Sequence, residues 1–380
     1  MRIVIAPDSF KESMTAAEAA AAIERGVRTA LPEATCAVLP VADGGEGTLD
    51  ALAAALGAEL REVDTVDALG RPVRAAFALA ADGLAVIEVA QVVGLGLLAG
   101  RRDVLHATTA GLAALVLAAL EADATRLLVG LGGTATCDGG AGLLAGLGVR
   151  FLDAAGRVLR PDPDGLADLA RVDAAALDSR VRAVSMTLAC DVTNPLLGPA
   201  GAAAVFGPQK GATPEQVPML DAVLARVADS LSAAGFSDVR HRPGAGAAGG
   251  LGAAFLSLGA NLRPGFGVVA DAIGLESAIA TADLVITGEG SLDAQTGSGK
   301  APAGVAALAA RHGVPVLAFA GRVPDPDAAL GLGFVAAVPI AGSLPLAEAL
   351  VRGPELLETA VAATLAGRAS GWGTVPPQGE

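Results

Sequence analysis

Apolar and polar positions alternate along this chain in a repeating order. Short apolar runs at Arg2–Ala6 and Cys36–Leu39 each end in a polar loop, PDSFKES and then VADGGEG. Each loop gives way to an alanine-rich stretch with helical spacing. The first stretch opens on Thr15-Ala-Ala-Glu18, a capping-box pattern that predicts a helix over 16–30. Thr48 opens a second helix running to Leu56. This order of strand, loop and helix predicts a parallel sheet. Its loops gather at the carboxyl ends of the strands, where open α/β sheets bind ligands.

From Glu59 to Val89 the pattern changes to strands, ELREVDTV, PVRAAFAL and LAVIEVA, around turns at Leu69-Gly70 and Asp82-Gly83. Helices are expected at 108–121, 214–234 and 267–280, and strands at 126–129 and 183–189. Beyond residue 283 the alternating rhythm returns, with strands at 314–318 and 334–338 and a terminal helix near 346–366. The shift near residues 65–80 marks a change of domain, and the two chain ends are expected to form one domain around an inserted one.

The stretch TGEGSLDAQTGSGKAPAG, Thr287 to Gly304, follows the apolar run Leu284-Val285-Ile286 and precedes a helical pattern from Ala301 to Arg311. A buried strand therefore delivers a glycine-rich loop onto a helix N-terminus. Free backbone N–H groups and the positive end of the helix dipole suit an anion there. The loop also carries Glu289, Asp293 and Lys300, a set suited to a metal–phosphate ligand.

Composition narrows the function. The net charge is −14 and there is no basic cluster, which argues against nucleic acid. The apolar run near 110–120 is too short to span a bilayer, and the N-terminus has no signal-peptide pattern. Cys36, Cys137 and Cys190 lack metal-ligand spacing and fit a reducing compartment. With His106, His241 and His312 scattered, zinc sites and serine–histidine triads find little support. A cytoplasmic globular protein is expected. Lysine and arginine total 26, yet lysine occurs only at 11, 210 and 300, each in a polar or glycine-rich loop. Lysine presents a compact point charge often used on phosphates.

Two glycine patterns resemble dinucleotide fingerprints. Gly130-Leu-Gly132-Gly-Thr-Ala135 follows a strand, with Asp153 about 20 residues further on. Gly244-Ala-Gly246-Ala-Ala-Gly249 lacks the preceding strand. The first pattern keeps a nicotinamide enzyme open as an alternative, although irregular chain through Gly142 leaves little helix behind it. A Walker A loop is excluded, because Ala294 and Ala301 stand where it needs Gly and Ser or Thr.

What remains is a series of acid-bearing loops: Asp8 with Lys11, Asp43 with Glu46, Asp138, Asp191 with Asn194, and Glu289 with Asp293. A single loop aspartate is ordinarily a cap or turn residue. Five such loops with three lysines supply what phosphoryl transfer needs, namely carboxylates for Mg²⁺ or the acceptor hydroxyl and cations for the phosphates.

APDSFK (6–11), ADGGEG (42–47), the GLGGTAT-DGGAG region, NP followed by FGPQKGAT (206–213) and TGEG-LD-QT-GK-P (287–302) resemble, in order, the signatures of the bacterial type 1 glycerate kinases. The resemblance runs nearly end to end. It implies two α/β domains, one flavodoxin-like with a parallel sheet built from both chain ends (1–75 plus 283–380) and one inserted (76–282), with the active site in the cleft between them. It further implies that D-glycerate is phosphorylated to 2-phosphoglycerate with ATP and Mg²⁺, by a monomer or homodimer. On that basis Asp191, Lys300 and Asp293 are the catalytic candidates. Asp8, Ser9, Lys11, Asp43, Glu46, Asn194, Lys210, Gln295 and Thr296 are candidates for binding substrate or phosphate, and Glu289 and Asp293 for the metal.

The chain departs from that pattern at Glu12, where the family usually has Gly, at Cys137 for Asn, and at Ser291 for Arg. It departs again at Ala113 and Ala114, which replace Gly and Glu. Two other readings therefore stay open: a kinase of another small hydroxy-acid, and a non-catalytic metabolite-binding module on the same scaffold.

Overall fold

The computed structural model describes residues 1–292 and 301–367. Asp293, Gln295, Thr296 and Lys300 lie outside the described residues. The chain divides into two units, one made of Met1–Asp43, Asp50–Gly57 and the chain from Phe266 onward, the other of Gly44–Leu49 and Ala58–Gly265.

The first unit is built on a five-stranded sheet in which every pairing is parallel. Its strands, in spatial order, are Ala336–Pro339, Val316–Arg322, Leu284–Ser291, Arg2–Ile5 and Thr35–Val38. Taken in chain order within the unit, that is the flavodoxin-like arrangement 2-1-3-4-5. Ile3, Val4, Ile5, Val285, Ile286, Leu317 and Phe319 are all buried, the near-continuous apolar character of strands covered on both faces. One face packs on Phe266, Ala270, Leu275 and Val305, and the other on Ile23, Val27, Leu357 and Val361.

The helix Ala16–Ala30 starts where expected, with both hydrogen bonds of the Thr15–Glu18 capping box formed. It lies so close to the helix Gly353–Gly367 that a Cβ on Gly26 would stand 2.6 Å from the Glu358 carbonyl oxygen. Two expected helices are interrupted. The terminal one is split into Leu346–Val351 and Gly353–Gly367, because Pro354 cannot donate into a continuous ladder. The one expected over 267–280 is split into Gly265–Ala272 and Leu275–Ile279 by Gly274, whose φ of +65° ends the first piece.

The second unit carries a six-stranded sheet in the order Asn261–Arg263, Ser185–Ala189, Arg126–Gly130, Leu84–Glu88, Pro72–Leu79, Glu59–Val66. Its first four strands are parallel and its last two antiparallel. A separate antiparallel pair, Arg150–Leu152 with Arg171–Asp173, lies outside that sheet.

The boundaries fall at 43/44, 49/50, 57/58 and 265/266, where 75 and 283 were expected. Glu59–Val66 pairs along its whole length with Pro72–Leu79, which commits both strands to the second sheet. Phe266 through Ile279 pack into the core of the first unit.

Candidate functional site

In a 2-1-3-4-5 sheet the chain reverses its winding between the first and third strands, and ligands bind beyond the carboxyl ends at that switch point. Here those strands are Arg2–Ile5 and Leu284–Ser291. Ile5 pairs with Ile286, and the Asp8 N–H donates to Gly288 O at 2.8 Å, which sets Asp8 beside the strand end that carries Glu289. The Thr287 hydroxyl donates to Ala6 O at 2.7 Å and ties the same two ends together. On the other side the Val41 N–H donates to Pro7 O at 2.9 Å, bringing in the loop that bears Asp43.

Three sequence-distant acids, Asp8, Asp43 and Glu289, therefore meet, with Lys11 close by. Asp8 keeps some exposed surface, but its carboxyl is set deep among neighbouring atoms. That burial, with the negative charges of Asp43 and Glu289, raises it to about 7, against the lowering effects of the Ser9 N–H and Lys11. The Ser9 N–H donates to Asp8 Oδ1 at 2.6 Å. Glu289 is buried and Lys11 exposed. Among the described residues no group of three His, Cys, Asp or Glu side chains is arranged to hold a metal by itself.

The remaining candidates among the described residues belong to the second unit. Glu46 is exposed on the ADGGEG loop. Asp191 is exposed and accepts from the Gly265 N–H at 3.0 Å. The Asn194 amide donates to Ala200 O at 2.8 Å, so it braces its own loop. Lys210, expected to face a ligand, is buried, and its ammonium donates to Thr134 Oγ1 at 3.0 Å and Thr136 O at 2.7 Å. Burial lowers it to about 8. It holds the GLGGTAT loop in shape.

Asp138 is likewise internal. It accepts from the Thr109 N–H and hydroxyl at 2.7 and 2.8 Å and from the N–H groups of Gly140 and Gly142 at 3.0 and 3.1 Å. Burial still holds its carboxyl above the usual carboxylate range.

The sequence reading missed Glu88. This buried acid closes the strand Leu84–Glu88, and its Oε2 accepts from the N–H groups of Gly47 and Leu49 at 3.1 and 3.0 Å, which shapes the ADGGEG loop. The available signal was a lone acid in the otherwise apolar run LAVIEVA.

Both dinucleotide-like patterns turn out to be packing devices. A Cβ on Gly132 would lie 2.5 Å from Gly45 Cα, and one on Gly249 would lie 1.9 Å from Thr136 O. The helix after the first pattern, Ala141–Gly146, has only six residues. Asp153 accepts from the Ala155 and Arg157 N–H groups and pairs with the Arg157 side chain, which makes it a turn residue.

Glu12 has φ +65°, in the left-handed region. Cys137 is buried beside Lys210, its thiol pushed up to about 11 by burial. Ser291 pairs with Arg322 in the sheet. Ala113 is buried, and a Cβ on Gly146 would lie 2.3 Å from its own Cβ. Ala114 is half-buried on the helix Leu112–Glu121.

Fold and site together define a two-unit α/β protein whose flavodoxin-like switch point gathers carboxylates beside a lysine. The comparisons with known proteins are more specific. Residues 3–367 match the glycerate kinase family. The chain is 48% identical to the glycerate kinase of Bacillus subtilis (strain 168) over 363 residues, 94% of this chain and 95% of that relative. It is 45% identical to the glycerate 2-kinase of Escherichia coli (strain K12) over 328 residues, 86% of each. A crystal structure of a putative glycerate kinase 2 from Salmonella typhimurium LT2 superposes with a TM-score of 0.84 at 42% identity, covering 97% of this chain and 98% of that one. This chain belongs to the glycerate kinase family, enzymes that transfer phosphate to an alcohol. Among the described residues no helix is long and apolar enough to cross a membrane.

Proposed function

We propose that this protein phosphorylates D-glycerate at its 2-hydroxyl, using ATP and Mg²⁺, in the cytoplasm. The observation that carries the reading is the meeting of Asp8, Asp43 and Glu289 at the switch point with Lys11 alongside. Phosphoryl transfer asks the protein for position and charge compensation more than for covalent chemistry. A carboxyl raised to about 7 by burial, with the charges of Asp43 and Glu289 adding to it, belongs to a donor set that a divalent cation relieves. Mg²⁺ is commonly bound through one or two carboxylates with phosphate oxygens completing its shell, so its binding requires no protein triad.

Glu289, together with Asp293, is assigned to the metal. When bound, that ion draws negative charge from the phosphate oxygens. Lys11 and Lys300 are assigned to the phosphates. Asp191, oriented by the Gly265 N–H, is assigned to the acceptor hydroxyl. Lys210 and Asn194 act through the loops they brace.

Coupling to enolase alone tests the hydroxyl assignment. Enolase converts 2-phosphoglycerate directly to phosphoenolpyruvate and leaves 3-phosphoglycerate untouched. Phosphoenolpyruvate forming without added mutase supports the reading. A phosphorylated product that enolase ignores contradicts it.

A further inference from the structure

The first unit contains a pocket of about 290 Å³ beyond the carboxyl ends of the strands Leu284–Ser291, Val316–Arg322 and Ala336–Pro339. The geometry points to this pocket as the seat of the purine and ribose of the nucleotide donor, with Lys11 and Arg322 at the start of its phosphate chain. The inference rests on the phosphoryl-transfer reading above.

The walls are unsuited to the acceptor. Phe10, Ile340, Ala341 and Leu346 give them a mainly apolar character. A three-carbon hydroxy-acid would leave most of the volume and all of that surface unused. A fused-ring base with its sugar matches a pocket near the lower end of the small-molecule range, about 300–1,000 Å³. Leu346 is 61% exposed, an apolar side chain at the rim with surface to offer a ring.

The floor is bare backbone. Gly290 and Gly321 approach so closely that a Cβ on Gly321 would stand 2.6 Å from Gly290 O. A ligand can therefore lie flat against the sheet edge. The wall is held in place, since the Ser13 hydroxyl donates to Leu350 O at 2.7 Å.

Charge gives the direction. Lys11 and Arg322, both exposed, line this pocket in a protein of net charge −14. Lys11 follows Asp8 by three residues and Gly290 follows Glu289 directly, so a phosphate chain leaving the pocket on that side runs toward the carboxylates.

The test is calorimetric titration of the full chain with ADP in the presence of Mg²⁺, paired with steady-state kinetics. Ala341→Trp fills the pocket and should weaken ADP by at least about tenfold, raising KM for ATP while leaving KM for D-glycerate unchanged. Leu346→Glu changes an exposed position and should weaken ADP by about threefold or more without lowering Tm. It keeps the question answerable if the tryptophan variant does not fold. Unchanged ADP affinity in a folded variant, in protein that phosphorylates D-glycerate, overturns the pocket assignment alone. Wild-type protein that neither binds ADP nor turns over overturns the pocket and the functional reading together.

Discussion

Gly130 lies against the backbone of Gly44, so close that a Cβ on Gly130 would stand 2.7 Å from the Gly44 carbonyl oxygen. The glycine that opens the GLGG pattern is thus required by another loop of the same protein. Gly132 does the same against Gly45. Gly132→Ala must displace backbone, and overpacking of this kind lowers stability by about 1–3 kcal/mol. Urea unfolding should show that loss together with reduced kcat/KM, because the ADGGEG loop moves. A variant with unchanged stability would mean that the two loops can separate freely.

Asp8 is expected to trade stability for function. Its carboxyl is buried among like charges and raised to about 7. In metal-free protein near neutral pH, Asp8→Asn removes that repulsion and should raise Tm. The same change should lower kcat/KM by at least about tenfold, since the lost charge belongs to the phosphate- and metal-binding set. Differential scanning calorimetry with steady-state kinetics reads both effects, and a fall in both together would mark Asp8 as structural.

Lys210 makes alkaline stability informative. Burial lowers it from 10.5 to about 8, so the folded state gives up its proton more readily than the unfolded chain. The charged form is held at a disadvantage below about 8. The lysine's contribution to stability therefore improves as pH rises from about 8 toward 10.5, where the unfolded state binds more protons. Urea titrations at about pH 7.5 and about pH 9.5 should show wild type gaining on Lys210→Met by on the order of 1–2 kcal/mol. A constant difference between the two proteins would place the ammonium in solvent.

Glu12 stands at φ +65°, which strains a residue with a Cβ by about 1–2 kcal/mol. Glu12→Gly relieves that strain and gives back part of it as added freedom in the unfolded chain. A net gain of roughly 0.5–1 kcal/mol in chemical unfolding is expected.

The legible part of this protein is its periodicity and its loop chemistry. The Thr15–Glu18 box, the apolar start of the strand Leu284–Ser291 and the acids at 8, 43 and 289 could be found because capping, apolar runs and polar loops are local signals, whereas Thr287–Ser291, expected as loop, continues that strand. The pairing of Glu59–Val66 was less visible. An antiparallel hairpin can extend either of two sheets, and only the full-length register with Pro72–Leu79 decides which. Lys210 misled for a related reason. A lysine in a glycine-rich loop reads as solvent-facing, whereas its burial depends on Thr134 and Thr136, more than 70 residues away in the chain. The glycine fingerprints failed because close backbone packing and pyrophosphate binding both demand a missing Cβ. Only the neighbouring atom tells them apart.

Coupled ADP release with Mg-ATP, comparing D-glycerate, L-glycerate, glycerol and no acceptor in one series, reads the proposed activity itself. Turnover is expected to depend on D-glycerate and to stay at the blank with glycerol. Folded protein that releases no ADP above the blank with D-glycerate, or that prefers another acceptor, would contradict the proposed activity.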